Sequence, residues 1–159
     1  MHLVVEKTVH IERPVPQVFA YVSDMERFAE WFPGVVAMAA ADALAPGQPG
    51  KQYLETVRLP WRGQRQIRLQ VKESRSPHFF ATEGRLLPLL PRMEIALAEA
   101  APGTCELTWR MFSRSTSPAV RYLLLPMARR VMGARAGAGV RALKRRLEAG
   151  AAAPVRSAG

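Results

Sequence analysis

Cysteine is almost missing. Cys105 stands alone, so no internal disulfide can form and a disulfide-stapled secreted scaffold is excluded. Without a histidine beside it in the pattern, it reads as a small buried thiol rather than a nucleophile. Histidine is sparse too. His2, His10 and His78 fall on different elements and no pair has metal-ligand spacing, so no metal is expected. No cofactor is expected either, because no phosphate-cradling glycine loop follows a strand: Gly133-x-x-x-Gly137-x-Gly139 lies inside a helical pattern. Long apolar runs are absent, which leaves nothing to cross a bilayer as a helix. Glu6, Lys7 and His10 interrupt the start before a signal peptide can form, so the expected location is the cytoplasm.

Acidic residues are also scarce, 13 Asp and Glu against 23 Lys and Arg, for a net charge of +10. That balance fits an anionic membrane surface, nucleic acid, or only a soluble protein with an arginine-rich exterior. Nucleic acid is the weaker of these, since aromatics are not interleaved with the arginines as a base-stacking surface needs. The oligomeric state stays open.

What is present is organised around the last long stretch, Ser117 to Glu148. Ser117 and Pro118 have the form of an N-cap and first helical residue. Leu125, Met132, Ala136, Val140, Leu143 and Leu147 make one apolar stripe. Val120, Leu123, Leu124, Met127 and Val131 make a second, confined to the first half. A surface helix needs one stripe only, so the first half is expected to be buried on two sides. Pro126 is expected to kink this helix, and each of its internal glycines costs about 1 kcal/mol relative to alanine. Residues 1–148 are read as one domain and 149–159, rich in alanine, glycine and proline, as a disordered tail.

Before that helix the chain mostly alternates. Val5, Val9 and Ile11 share one face of a first strand, broken by Lys7. Arg13-Pro14-Val15-Pro16 ends it and opens a short helix with Val18, Phe19 and Val22. Ser23-Asp24-Met25-Glu26 has capping-box form and starts a second short helix that brings Phe28, Trp31 and Phe32. Strands are expected over Val35–Ala41, Gln52–Leu59, Gln64–Glu73, His78–Glu83, Arg92–Glu99 and around Cys105–Met111. The turn Pro60-Trp61-Arg62-Gly63 joins two of them. Leu86-Leu87-Pro88-Leu89-Leu90-Pro91 reads as an apolar loop, since proline cannot donate to a sheet ladder.

This order, with Val15-Pro16-Gln17-Val18-Phe19, Ser23-Asp24-x-Glu26-Arg27-Phe28, Glu30-Trp31-Phe32-Pro33-Gly34-Val35 and Gly103-Thr104-x-x-Leu107-x-Trp109, resembles the SRPBCC or START-like superfamily, and within it the polyketide cyclase/dehydrase-like and coenzyme-Q-binding-like groups. The resemblance spans residues 3 to 148. It implies an α+β helix-grip fold, in which a curved antiparallel sheet of six to seven strands wraps a long C-terminal helix around a cavity. Strand alternation then points Tyr53, Glu55, Val57, Arg65, Ile67, Leu69, Phe79, Met93, Ile95, Trp109 and Met111 inward, with Trp31, Phe32, Tyr122 and Met127 at the mouth. The alternative for these residues is plain core. Glu83 also falls on an inward position. Glu55, Arg65, Tyr53 and Tyr122 would serve a cyclase; otherwise they meet water or pair structurally, and no residue is assigned as catalytic. Three functions stay open: binding or transport of a hydrophobic small molecule or lipid, a polyketide cyclase/dehydrase-type enzyme, or an interaction module with a collapsed cavity. Arg121, Arg129, Arg130, Arg135, Arg141, Lys144, Arg145 and Arg146 form a solvated face or, joined to Leu86–Pro91, a contact with an anionic membrane.

Overall fold

The computed structural model describes residues 1–61 and 63–152. Arg62, expected in a turn, and residues 153–159 of the expected tail lie outside the described residues. The elements run in the order β1 (His2–Ile11), α1 (Val15–Val22), a 3-10 segment (Met25–Glu30), β2 (Val35–Ala40), β3 (Gln52–Arg58), β4 (Gln64–Arg75), β5 (Phe79–Gly84), β6 (Pro91–Ala101), β7 (Thr104–Ser113), a π-helical turn (Val120–Leu124) and α2 (Leu125–Ala152). The seven strands form one antiparallel sheet in the order β1-β7-β6-β5-β4-β3-β2, so β1 returns beside the last strand and β2 forms the other edge. This is the expected α+β architecture of a sheet around a long terminal helix.

Local chemistry accounts for the element ends. Pro14 in extended conformation precedes α1, and Pro16 sits in its first turn where no amide partner is required. The capping box does not form as expected. Ser23 closes α1 through its amide to the Phe19 carbonyl, and Asp24 instead caps the next segment by accepting from the Glu26 amide at 3.3 Å. That segment is a tight 3-10 turn rather than an α-helix.

The long helix begins at Pro118 as expected, with the Arg121 amide donating to the Ser117 carbonyl at 3.1 Å, but its first turns depart from a regular α-helix. Leu125 donates to the Val120 carbonyl five residues back, which widens the turn just before Pro126, a residue with no amide to offer. The expected disruption at proline therefore takes the form of a π-turn. At the other end the helix continues through residues 149–152, four residues past Glu148.

Leu125, Ala136, Val140, Leu143 and Leu147 are buried as one stripe, with Met132 partly covered against the same core. The end of α2 is tied to the end of β1. The Arg13 guanidinium donates to the Leu147 carbonyl at 3.1 Å and the Glu148 carbonyl at 2.5 Å. Lys144 donates to the His10 carbonyl, and the Glu148 carboxylate accepts from Lys144 and from the Glu12 amide. Of the second stripe only Val120 is fully buried; Leu123 is 78% exposed, and Met127 is exposed as well. This stripe faces the space described next rather than packed core.

Candidate functional site

Between the concave sheet face and the first half of the helix lies a cavity of about 730 Å³. The sheet supplies Glu55, Val57, Arg65, Ile67, Leu69, Met93, Trp109 and Met111 to its wall, all expected inward. Phe32 and Met127, expected at the mouth, also line it. Five expected residues do not. Trp31 is buried behind Phe28, edge-on to its ring at 5.0 Å, because the 3-10 segment turns it into the core. Tyr53 and Ile95 point inward but are fully buried by α1 and the 3-10 segment, at the closed part of the sheet. Tyr122 projects from the π-turn into solvent beside Arg121.

Phe79 is the fifth, and its misplacement has a definite cause. A register shift between Val71 and Glu73 in β4 inserts one residue, so β5 pairs with its even-numbered residues inward. Phe80, Thr82 and Gly84 face the interior, while Phe79 lies outside under the Arg75 guanidinium, 4.5 Å from its ring centre. Glu83 is reversed by the same shift. It sits on the outer face, in ion pairs with Arg92 at 3.1 Å and Arg114 at 3.4 Å.

The wall is mostly apolar, with a few polar groups set into it. Glu55 is 7% exposed, and no described residue pairs with its carboxyl. Burial alone pushes its pKa up to about 7. Thr82 Oγ1 and Trp109 Nε1 are buried without a hydrogen-bond partner among the described residues. A buried donor or acceptor left unmade costs about 1–3 kcal/mol, a cost that both of these cavity-lining residues carry. Tyr53 belongs to the core rather than the cavity, and burial raises its pKa to about 12. Cys105 is buried in the sheet with its thiol pushed up to about 11, which makes it a poor nucleophile. Among the described residues no group of three His, Cys, Asp or Glu side chains is placed to hold a metal ion.

One end of the cavity is closed by aromatic rings. Phe32 lies 4.9 Å from Trp109 and 4.9 Å from Phe28. It reaches that position because Gly139 carries no side chain: a Cβ there would stand 3.0 Å from the Phe32 ring. The mouth is bordered by the β3–β4 turn with Trp61, by Leu86, Leu87, Pro88 and Leu89, and by Leu123. The Leu86–Leu90 segment is fastened to the end of β7, since Ser113 Oγ donates to the Leu89 carbonyl at 2.6 Å and the Arg114 amide to the Leu90 carbonyl at 3.0 Å. Leu90 holds a left-handed φ of 51°, strained for leucine.

Sequence reasoning missed Thr82, Arg58 and the cavity role of Arg135. Thr82 was hidden by the register shift. Arg135 had a readable signal: the second stripe, Val120, Leu124, Met127 and Val131, continues at helical spacing to position 135, where an arginine stands among apolar positions.

The model of the family described as polyketide cyclase / dehydrase and lipid transport matches residues 2–148. The chain belongs to this family. Solved structures share the fold. A START superfamily protein from Mycobacterium smegmatis superposes with a TM-score of 0.69 at 17% identity, over 94% of this chain and 99% of that one. A protein from Thermus thermophilus gives 0.73 at 10% identity, over 92% and 98%. The di-domain ARO/CYC BexL from the BE-7585A biosynthetic pathway gives 0.63 at 18% identity, over 94% of this chain but only 50% of BexL. At these identities the likeness establishes the fold alone. No curated protein matches the chain by sequence.

Proposed function

We propose that this polyketide cyclase/dehydrase and lipid transport family member binds, and carries, a hydrophobic small molecule or lipid in the cavity between sheet and helix. The observation that carries this reading is the cavity itself. Its volume of about 730 Å³ lies within the range of about 300–1,000 Å³ usual for ligand sites. Its wall is apolar with a few placed polar groups, and a hollow of this size counts against a collapsed interaction module. Native mass spectrometry of the purified protein tests the reading: a bound apolar species, displaced by the neutral dye Nile red, is expected. Failure of both the protein to carry such a species and the dye to bind would overturn it.

The rim favours loading at a membrane surface. Trp61 and Leu87 are 72% and 65% exposed, and with Leu123 they stand around one mouth beside Arg58 and Arg65. Apolar tips with flanking cations suit an anionic bilayer. Flotation with phosphatidylglycerol vesicles should carry the wild type, and the Trp61→Ser/Leu87→Ser/Leu123→Ser variant should stay behind; equal flotation would refute the membrane contact. Among the described residues no helix is long and apolar enough to span a bilayer.

A second reading, catalysis of the cyclase/dehydrase kind, draws on Glu55. A carboxyl that titrates near neutrality in an apolar wall suits proton transfer. It requires turnover of a poly-β-keto substrate that Glu55→Gln abolishes without loss of binding.

A further inference from the structure

We propose that the ligand is an anionic amphiphile: an apolar body inside the cavity and a carboxylate or phosphate head held at the mouth by Arg58, Arg65 and Arg135. This rests on the binding reading above and specifies its ligand class. All three arginines border the cavity, and none is ion-paired with a carboxylate of any described residue. The contrast with the rest of the molecule is instructive. On the outer face of the sheet, Arg92 alone gathers Glu73, Glu83 and Glu94. At the cavity mouth cations face one another instead.

Arg135 is the anchor of this arrangement. It extends from the apolar stripe of the helix that lines the cavity, and it is half-buried there. Its guanidinium donates to the Arg58 carbonyl at 2.9 Å and lies against the backbone at Gly34. Gly34 has φ +87° and no Cβ; a Cβ there would sit 2.5 Å from the guanidinium. The positive φ itself favours glycine at this position, and the guanidinium rests in the space the missing side chain leaves. Burial and the Arg58 charge both disfavour the Arg135 cation, so it is held where an anion would relieve it. Arg65 borders the same cavity from β4, paired in register with the inward Val57, while the exposed Arg58 follows Val57 at the end of β3 and reaches the rim from there. A head group at the mouth thus meets donors from two strands and the helix, while its apolar body meets Val57, Ile67 and Met127 behind them.

The test is displacement of Nile red from the full-length protein by dodecanoate, dodecyl phosphate and dodecanol, for wild type and for Arg135→Gln, Arg58→Gln and Arg65→Gln. The two anions should compete more strongly relative to dodecanol in wild type than in Arg135→Gln by about tenfold, with about threefold losses for the other two. Their affinity should weaken as salt rises from about 0.05 to about 0.5 M, while that of dodecanol should not. An unchanged anion-to-alcohol ratio across the variants, with dodecanol still binding, would overturn the proposal and leave the cavity reading standing. Failure of all three probes and of the dye would remove the cavity reading itself. Because the ratio is taken within each variant, a general loss of stability cannot imitate the result, and Arg135→Lys should restore part of it. Extraction of phosphatidylglycerol from vesicles would assign the anion to a membrane lipid; binding of dodecanoate without extraction would assign it to a free acid. Both outcomes support the anionic head.

Discussion

Glu55 allows the electrostatics of the cavity to be weighed without knowing the ligand. Its carboxyl is buried in the cavity wall with no described partner, and its pKa rises from 4.5 to about 7 through burial alone. The unfolded chain titrates it at the ordinary value. Below about pH 4.5 the carboxyl is neutral in both states and adds no penalty. As pH rises, the unfolded state releases its proton first, so stability falls between about 4.5 and 7 and is lowest above 7. The full drop is about 3 kcal/mol, since each pKa unit corresponds to about 1.4 kcal/mol. Glu55→Gln keeps the shape and removes the titration. The assay is urea denaturation of both proteins from pH 4.5 to 8. The two should have similar stability at pH 4.5, and the variant should exceed the wild type by about 3 kcal/mol at pH 8. Parallel pH profiles would refute the reasoning, because they would mean that water or an unseen partner already solvates the carboxylate.

Other perturbations separate the parts of the helix. Gly139→Leu should cost about 1–3 kcal/mol in a denaturant titration, because even its Cβ meets the Phe32 ring at 3.0 Å and Pro33 at 3.4 Å. Gly133→Ala should instead raise stability by about 0.5–1 kcal/mol, as nothing lies within 4 Å of the added methyl. Leu143→Ala should cost about 2–5 kcal/mol from the grip on β1. Leu123→Ala should change stability by less than about 0.5 kcal/mol, yet weaken Nile red binding, since Leu123 borders the cavity in an exposed position.

The fold was legible because its signals are long-range in pattern but local in kind. Strands with clean alternation, such as Gln64–Val71, left only one face to bury. Tandem short helices after β1, followed by strands and one terminal helix, left few alternatives. The site was legible only where alternation held. In β4 a single inserted residue near Lys72 turned Phe79 and Glu83 outward and brought Phe80 and Thr82 in. No residue at that point announces the shift, since neither glycine nor proline marks it. Tyr53 and Ile95 failed differently: alternation correctly set them inward, but only three-dimensional packing decides which inward residues lie under α1 and which face open space.

The two apolar stripes of the closing helix divide its work at Gly139. Beyond it, Val140, Leu143 and Leu147 pack against the core, and Arg13, Lys144 and Glu148 fasten the same turns to β1. Before it, Leu125 and Ala136 still pack against the core, but the second stripe borders the cavity, with Leu123 and Met127 exposed there. At the junction the bare Gly139 lets Phe32 come close enough to pack, tilted, against Trp109, and that aromatic wall ends the hollow. A soluble surface helix gains nothing from a second apolar stripe that its own fold leaves uncovered. The stripe is explained if what covers it comes from outside the chain, and the arginine that terminates it at position 135 then marks where that guest stops being apolar.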